Sequence, residues 1–253
     1  MRLSAALLLV LMLLPFSARS AQQATCLTCH AKLKQNKVVH PALEMGCEAC
    51  HTGIDATKVP HKHAGNVPHG LSADQPELCY GCHDKAAFTK ATVHAAIGMG
   101  CTGCHNPHSS PNAKLLVSEP PDLCFTCHDK TEFTKRVVHP PVAAGMCLSC
   151  HSSHSSDEMA LLLKRPYELC LDCHPDIPKQ QHAISGFGSG KHPLGALKKN
   201  KKTGVVTELK DPTRPDKPFY CGSCHNPHSS EGGRLFRFKA MDAMSLCSNC
   251  HKM

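Results

Sequence analysis

The cysteine spacing constrains this chain more than any other feature. Every cysteine belongs to a Cys-x-x-Cys pair, and a histidine follows each pair immediately. The 18 cysteines therefore form nine motifs, with none left over. In chain order, motifs 1 to 9 are Cys26/Cys29/His30, Cys47/Cys50/His51, Cys79/Cys82/His83, Cys101/Cys104/His105, Cys124/Cys127/His128, Cys147/Cys150/His151, Cys170/Cys173/His174, Cys221/Cys224/His225 and Cys247/Cys250/His251.

The motif spacing predicts covalent haem attachment. Residues at i, i+3 and i+4 share one side of a helical turn, so two thioether bonds can hold a porphyrin edge while the histidine coordinates iron. Zinc ribbons and local disulfides are alternative uses of such pairs. Histidine is only 20 of 253 residues yet follows all nine pairs, and four-cysteine zinc sites would leave one pair unmatched. We predict nine haem c groups.

The composition leaves little material for a conventional core. Tryptophan is absent, and there are only 8 Phe and 3 Tyr. Nine flat macrocycles would supply the missing apolar bulk. The 19 Pro and 17 Gly interrupt the chain throughout. We predict a mostly irregular, repeat-built fold with short α-helices, a haem-stacked core and little or no β structure.

Internal repeats organise the chain. The unit CYGCHDKAAFTKATVHAAIGMGCTGCHNPHSS from Cys79 is followed by CFTCHDKTEFTKRVVHPPVAAGMCLSCHSSHSS from Cys124, at a period typical of repeat arrays. We divide the chain into a signal peptide and four dihaem repeats, of which the fourth has an inserted basic loop and the ninth motif. The boundaries are 1–20, 21–76, 77–121, 122–167 and 168–253.

Eleven histidines remain as candidate second axial ligands. In most repeats, one lies before the second motif (the leading histidine) and one lies three residues after its proximal histidine (the trailing histidine). A trailing histidine cannot reach the far face of its own haem, so we expect it to ligate a neighbouring haem of the same repeat. We select His40, His94, His139, His192, His108, His154, His228, His69 and His182, while the question which of His61, His63, His69 and His182 are ligands stays open. Met45, Met99 and Met146 lie too near their motifs to ligate and are interpreted as packing residues.

The first twenty residues and the charge predict an exported protein. Arg2, ten apolar residues at 5–14 and the small residues Ala18 and Ser20 are typical of a cleaved secretory signal. No later stretch is apolar enough to cross a bilayer, so we expect no transmembrane segment in the mature chain. The formal charge of +8 does not indicate nucleic-acid binding, because haem propionates would reverse it. The lysines at 198, 199, 201 and 202 are either a solvated face or a docking site for an acidic redox partner.

The segments CTGCHNPHSSPNAKLL and CGSCHNPHSS, followed by LCFTCH and LCSNCH, resemble the doubled-CxxCH multihaem cytochromes c. The resemblance implies closely spaced, low-spin, bis-histidine haems, as in periplasmic carriers and porin-cytochrome conduits. It favours a periplasmic electron carrier of anaerobic or extracellular respiration, not an enzyme. An inner-membrane quinol oxidoreductase or a periplasmic cytochrome would be the donor, and an outer-membrane conduit or terminal reductase the acceptor. The alternatives are a reductase of a nitrogen or sulfur oxyanion and a subunit of an extracellular haem filament.

Overall fold

The computed structural model describes residues 26–179, 195, 197–239 and 243–252. The predicted signal peptide, His182 and His192 lie outside the described residues. Within them, no helix is both long and apolar enough to cross a membrane. The described chain forms two compact units. One contains the residues up to His83 and Gly100–Val117, and the other contains Asp84–Met99 and the residues from Ser118 onward.

The motifs lie on single helical turns of two kinds. Residues 26–30 of motif 1 are helical, and the other odd-numbered motifs begin on short α-helices: α1 Glu77–Tyr80, α2 Asp122–Phe125, α4 Pro166–Leu171 and α5 Ala243–Cys247. The even-numbered motifs begin on 3₁₀ turns at Cys47–Ala49, Cys101–Gly103, Cys147–Ser149 and Cys221–Ser223. In motifs 2 to 9, the histidine N–H donates to the first cysteine's carbonyl at 2.9–3.0 Å. This bond closes the turn that the spacing predicts.

The remaining helical segments are also short. Helix α3 spans Pro140–Ala143. Further 3₁₀ turns are Ala31–Lys34, Pro41–Met45, Pro68–Gly70, Lys85–Phe88, Ala95–Met99, Ala113–Leu115, Lys130–Phe133, Met159–Leu161, Ile177–Lys179 and Gly233–Leu235. Asp84 and Asp129 follow their motifs and cap the next turn by accepting the N–H of Ala86 and Thr131.

Twelve strands of two to five residues pair as six antiparallel ribbons in the described chain. Three ribbons are local: β2 Ile54–Asp55 with β3 Lys62–His63, β8 Leu197–Lys199 with β9 Val206–Glu208, and β10 Lys210–Asp211 with β11 Arg214–Pro218. Three join successive repeats: β1 Val38–Val39 with β5 Ser109–Ser110, β4 Thr92–Val93 with β7 Ser155–Ser156, and β6 Val137–Val138 with β12 Ser229–Ser230. The prediction of a mostly irregular fold with short helices and little β structure is confirmed.

The protein interior contains few apolar side chains. Among the described residues, only Phe219 and Leu246 are buried hydrophobic side chains. The most deeply buried groups are instead polar, and they include the serine pairs of β5, β7 and β12. A chain of this length normally needs many buried aliphatic and aromatic residues. The polypeptide therefore forms a scaffold around groups that it does not itself supply.

Candidate haem-binding sites

The ribbons between repeats bring leading and trailing histidines together. Each leading histidine directly follows the first strand of its ribbon, and each trailing histidine directly precedes the second. The leading N–H donates to the trailing carbonyl in the pairs His40–His108, His94–His154 and His139–His228, at 2.8–2.9 Å. One strand pair thus positions two candidate ligands for two different haems.

Buried serines fix these ribbons. The Ser155 hydroxyl donates to the Ala87 carbonyl at 2.9 Å and accepts the Lys90 N–H at 3.3 Å. Ser229 makes the same two bonds to Glu132 and Lys135, at 2.8 and 3.3 Å. Serine is small enough for the close approach and satisfies backbone groups that burial would otherwise leave unpaired. These serines were missed as functional residues, although their repetition after each trailing histidine was visible in the sequence.

Within the residues that the structure describes, six motif histidines face a second histidine outside the motifs. The ring centres are 5.9–6.2 Å apart in the pairs His30–His61, His40–His83, His51–His108, His94–His128, His139–His174 and His151–His228. An iron between two imidazoles would separate the ring centres by about 6.2 Å, from two metal–nitrogen bonds of about 2 Å and about 1.1 Å from each nitrogen to its ring centre. The spacing of all six pairs fits one iron between them.

Hydrogen bonds to backbone carbonyls fix the tautomer of seven histidine rings, which belong to motif histidines and to candidate second ligands. The Nδ1–H of His51, His105, His151 and His225 donates to a carbonyl in the loop after the motif, at 2.8–2.9 Å. The Nδ1–H groups of His61, His94 and His139 also donate to carbonyls, at 2.7–3.0 Å. Because a carbonyl only accepts, Nδ1 must carry the proton, and the Nε2 lone pair is left for a metal.

Exposure to solvent differs between the odd-numbered and the even-numbered motifs. In the even-numbered motifs, the second cysteine and the histidine are half-buried. In the odd-numbered motifs, the same two residues are exposed on the polypeptide, at Cys29/His30, Cys82/His83, Cys127/His128, Cys173/His174 and Cys250/His251.

The reason for this difference is local. A loop folds back over each even-numbered motif, and its carbonyl contacts the motif histidine. The odd-numbered motifs instead end helical turns that lie at the protein surface. The exposed cysteines and histidines, His251 among them, stay predicted attachment residues and ligands.

Burial lowers the pKa of two of the trailing histidines. It lowers the pKa of His108, helped by the neighbouring His51 and His40. Burial also lowers the pKa of His228, with His151 and His139 adding to the shift. Phe133 packs against the His228 ring at 4.9 Å, and Phe88 packs against His154 at 4.8 Å. Neutral imidazole is the form that binds iron, so the apolar neighbours favour ligation.

Five of the six pairs link successive repeats, which differs from the expected ligation within one repeat, whereas the pair His30–His61 lies within the first repeat. The trailing His108 of the second repeat faces His51 of the first, and the leading His40 of the first repeat faces His83 of the second. The reason is the strand pairing. It carries the trailing histidine away from its own motif and toward the preceding repeat.

In the first repeat, the backbone of His69 contacts a motif histidine. His69 has φ 59°, and its backbone carbonyl accepts the Nδ1–H of His51. Lys114, Ala160 and Arg234 have the same role in the later repeats, with φ of 51–54°. In the described chain, the His69 ring faces no motif histidine, whereas the His61 ring faces His30. His63 lies exposed on β3.

Electrostatic interactions between cysteines give the order of neighbouring motifs inside each unit. The thiols of Cys26, Cys101 and Cys221 contribute to raised pKa values of Cys47, Cys79 and Cys170, and each pair consists of the first cysteines of consecutive motifs. Burial raises the pKa of Cys47 and Cys79 to about 11, and the partner thiols add to both shifts. Electrostatic interactions join Cys50 to Cys82, Cys150 to Cys170, and Cys224 to Cys247. Motifs 1 to 4 in the first unit and motifs 6 to 9 in the second therefore neighbour one another in chain order.

All eighteen cysteines are free of disulfides. Among the described residues, no three His, Cys, Asp or Glu side chains converge to hold a metal ion. What recurs is two cysteines beside one histidine on a turn, usually with a second histidine opposite. This donor set defines a chain that binds c-type haem covalently at several sites.

Comparison with known proteins identifies the family. The model of the doubled CXXCH motif matches residues 40–88, 94–133, 139–179 and 213–253, which is more than half of the chain. The chain therefore belongs to the doubled CXXCH motif family and is a multihaem c-type cytochrome. Each matched segment contains an even-numbered motif and the odd-numbered motif that follows it. This division of the periodic array differs from the four repeats defined above, which each begin with an odd-numbered motif.

A curated relative agrees with this assignment. Multiheme cytochrome MtrA of Shewanella baltica (strain OS185) is 30% identical over 96 residues. The match covers 35% of this chain and 26% of the relative. The chain thus spans only about a quarter of the length of the relative that it matches.

Proposed function

We propose that the protein is a periplasmic electron carrier that holds nine haems, each with two histidine ligands. The six histidine ring pairs carry this proposal, because their spacing suits one iron each. His30, His83, His51, His128, His174 and His151 would be the proximal ligands, opposite His61, His40, His108, His94, His139 and His228. The histidines of motifs 4, 8 and 9 would draw on His154, His182 and His192.

The bound haems supply one-electron redox chemistry, and the chain's residues determine where it occurs. Two histidine ligands on each iron would leave no open coordination position for a substrate and would favour the low-spin state. The electrostatic interactions between cysteines of consecutive motifs support haem sites that neighbour one another within each unit. Electrons would therefore move between neighbouring haems in chain order, and the repeats act mainly as spacers.

The cellular role rests on the sequence and the relative. The apolar residues at 5–14 support export, and haem c proteins of this kind exchange electrons with other redox proteins. We propose a membrane quinol oxidoreductase or a soluble cytochrome as the donor. An outer-membrane conduit or a terminal reductase would accept the electrons during anaerobic or extracellular respiration.

Quantitative electron paramagnetic resonance of the oxidised protein tests this function, with haem content measured by mass spectrometry on the same sample. We expect nine haems, all low-spin. One stoichiometric high-spin iron would instead support a multihaem reductase, and activity with nitrite, hydroxylamine or a sulfur oxyanion would then be measured. Low-spin haems in a self-assembling polymer would support the filament alternative.

A further inference from the structure

A buried carboxylate shared by two arginines lies beside motif 8. Asp211, on β10, is 1% exposed, whereas the side chains of Arg214 and Arg237 are 26% and 18% exposed. One Asp211 oxygen accepts from Arg214 at 2.8 and 3.0 Å and from Arg237 at 3.1 Å. The other oxygen accepts the Thr213 N–H and hydroxyl at 2.8 and 2.7 Å. We call Asp211, Arg214 and Arg237 the acid–arginine cluster.

The cluster holds the attachment loop of motif 8 directly. Arg214 donates to the Gly222 carbonyl at 2.6 Å, and Arg237 donates to the Ser223 carbonyl at 3.3 Å. Gly222 and Ser223 are the two residues between the cysteines of this motif. The Arg237 N–H also donates to the Cys224 carbonyl at 2.9 Å.

Within the described chain, this use of charge distinguishes motif 8 from the other even-numbered motifs. The backbone bond from Arg237 to Cys224 has counterparts from Ser72 to Cys50, Val117 to Cys104, and Leu163 to Cys150. At motifs 2, 4 and 6, the residue that donates this bond is uncharged. At motif 8, the donor is Arg237, whose guanidinium bonds to Asp211 and Thr213 of the β10–β11 hairpin.

The cluster has one carboxylate and two guanidinium groups, so it carries one net positive charge. That charge is partly shielded from water, which makes its field stronger than that of an exposed lysine. Haem reduction adds an electron to the iron centre. A fixed positive charge at the thioether edge therefore stabilises the reduced form relative to the oxidised form, and net charge near a haem is a known determinant of its potential.

We propose that the acid–arginine cluster positions the haem of motif 8 and raises its reduction potential above that of the same haem without the cluster's charge. Motif 8 would then attract electrons toward this part of the haem row. The proposal rests on the proposed electron-transfer function, and Arg237 acts as a positioning residue through the attachment loop and its charge.

The test is a spectroelectrochemical titration of the haem-loaded full chain with Arg237→Gln, Arg237→Lys and the control Lys62→Gln. Gln removes the charge but keeps a hydrogen-bond donor, whereas Lys keeps the charge. Lys62→Gln removes an exposed charge on β3. At fixed potential, we expect Arg237→Gln to lower the reduced-to-oxidised ratio of one haem by about tenfold, or about 59 mV for one electron. Arg237→Lys and Lys62→Gln should retain the native curve.

Equal shifts in the Gln and Lys variants, or no shift in the Gln variant, would overturn the proposal. If Arg237→Gln fails to load its haems, Arg214→Gln tests the same charge from the other arginine. The spin state of the irons in the native protein distinguishes a failure of this proposal from a failure of the proposed carrier function. A high-spin iron in the native sample refutes the carrier function whatever the Arg237 variants do.

Discussion

A histidine can ligate haem iron only if its Nε2 lone pair is free and points toward the metal. The carbonyls that accept Nδ1–H from His94, His51 and His139 satisfy the first requirement, and the ribbons between repeats satisfy the second. Ligation at these sites would therefore depend on backbone hydrogen bonds as well as on the choice of side chain. Such outer partners commonly affect metal affinity strongly.

Replacing His94 by alanine should leave the haem at motif 5 with one protein ligand. We expect one high-spin iron per molecule in the oxidised protein, because the His128 ring would lose the ring that faces it at 6.1 Å. Electron paramagnetic resonance with spin quantification measures this change. The matched control is His63→Ala, which removes an exposed histidine and should leave every iron low-spin. Unchanged low-spin iron in His94→Ala would contradict the proposed ligand.

The Asp211 carboxylate makes stability depend on pH. Burial alone would raise its pKa, but hydrogen bonds from Thr213 and Arg214 outweigh burial and hold the pKa well below its usual value. A lowered pKa in the folded state gives stability that is present above the unfolded value of 3.8 and is lost as pH falls through the folded value. Asp211→Asn should therefore be most destabilising near neutral pH.

We expect Asp211→Asn to cost about 3–5 kcal/mol at pH 7, because it leaves two partly buried guanidinium groups without their carboxylate. Chemical denaturation at a series of pH values measures the difference from the native protein. That difference should shrink only at pH values below 3.8. The control is Asp216→Asn, an exposed carboxylate on the same hairpin, which should change stability little. A cost independent of acid pH would refute the role of ionised Asp211.

At the scale of elements, a left-handed glycine lies shortly before the second motif in each of the first three repeats. Gly46, Gly100 and Gly145 have φ of 92°, 88° and 70°. The glycine reverses the chain between the turn that follows the leading histidine and the motif that follows. Residues with a Cβ rarely adopt this conformation, so each glycine is a structural requirement for the placement of two ligands.

Gly100→Ala should destabilise the protein by about 1–3 kcal/mol through backbone strain. A Cβ at this position would also lie 3.2 Å from Gln75 Oε1, the atom that accepts the Thr102 N–H. Equilibrium unfolding of the haem-loaded protein measures the cost. Gly98→Ala is the matched control, because its Cβ would meet nothing within 4 Å. Equal stability of the two variants would contradict the conformational argument.

The sequence was sufficient to predict the motif turns and the mostly irregular fold, because the spacing is local and repeats nine times. It could not predict the ribbons between repeats. Two-residue strands such as Val38–Val39 show no alternation, and their partners lie far along the chain. His69 was chosen over His61 for a similar reason. A left-handed turn presents the His69 carbonyl to His51, and no local sequence rule indicates that turn.

At the scale of the whole molecule, haem attachment and folding should be one process. Phe219 and Leu246 are the only buried hydrophobic side chains in the described residues, which is too little apolar burial to offset the conformational entropy of the chain. Haem binding would provide the missing contacts and tie distant histidines together. The bound haems would thus form part of the interior of each unit.

Without haem attachment, we expect the chain to be unfolded. Expression in cells that lack the cytochrome c maturation system gives the haem-free protein, and circular dichroism with proton NMR measures its structure. The haem-loaded protein in the same buffer is the control. Dispersed amide signals from the haem-free chain would show that the polypeptide folds alone and would contradict this account.

The pairing of His30 with His61 affects how such an array can change in length. At motifs 2, 3 and 5, the facing histidine comes from an adjacent repeat, whereas motif 1 takes its partner from within its own repeat. Terminal units of repeat proteins commonly need such a modification, which acts as a cap. With this cap in place, duplication of an internal repeat would add two haem sites without leaving motif 1 short of a ligand. Repeat duplication, in evolution or in protein engineering, could thus lengthen the row of haems by two at each step.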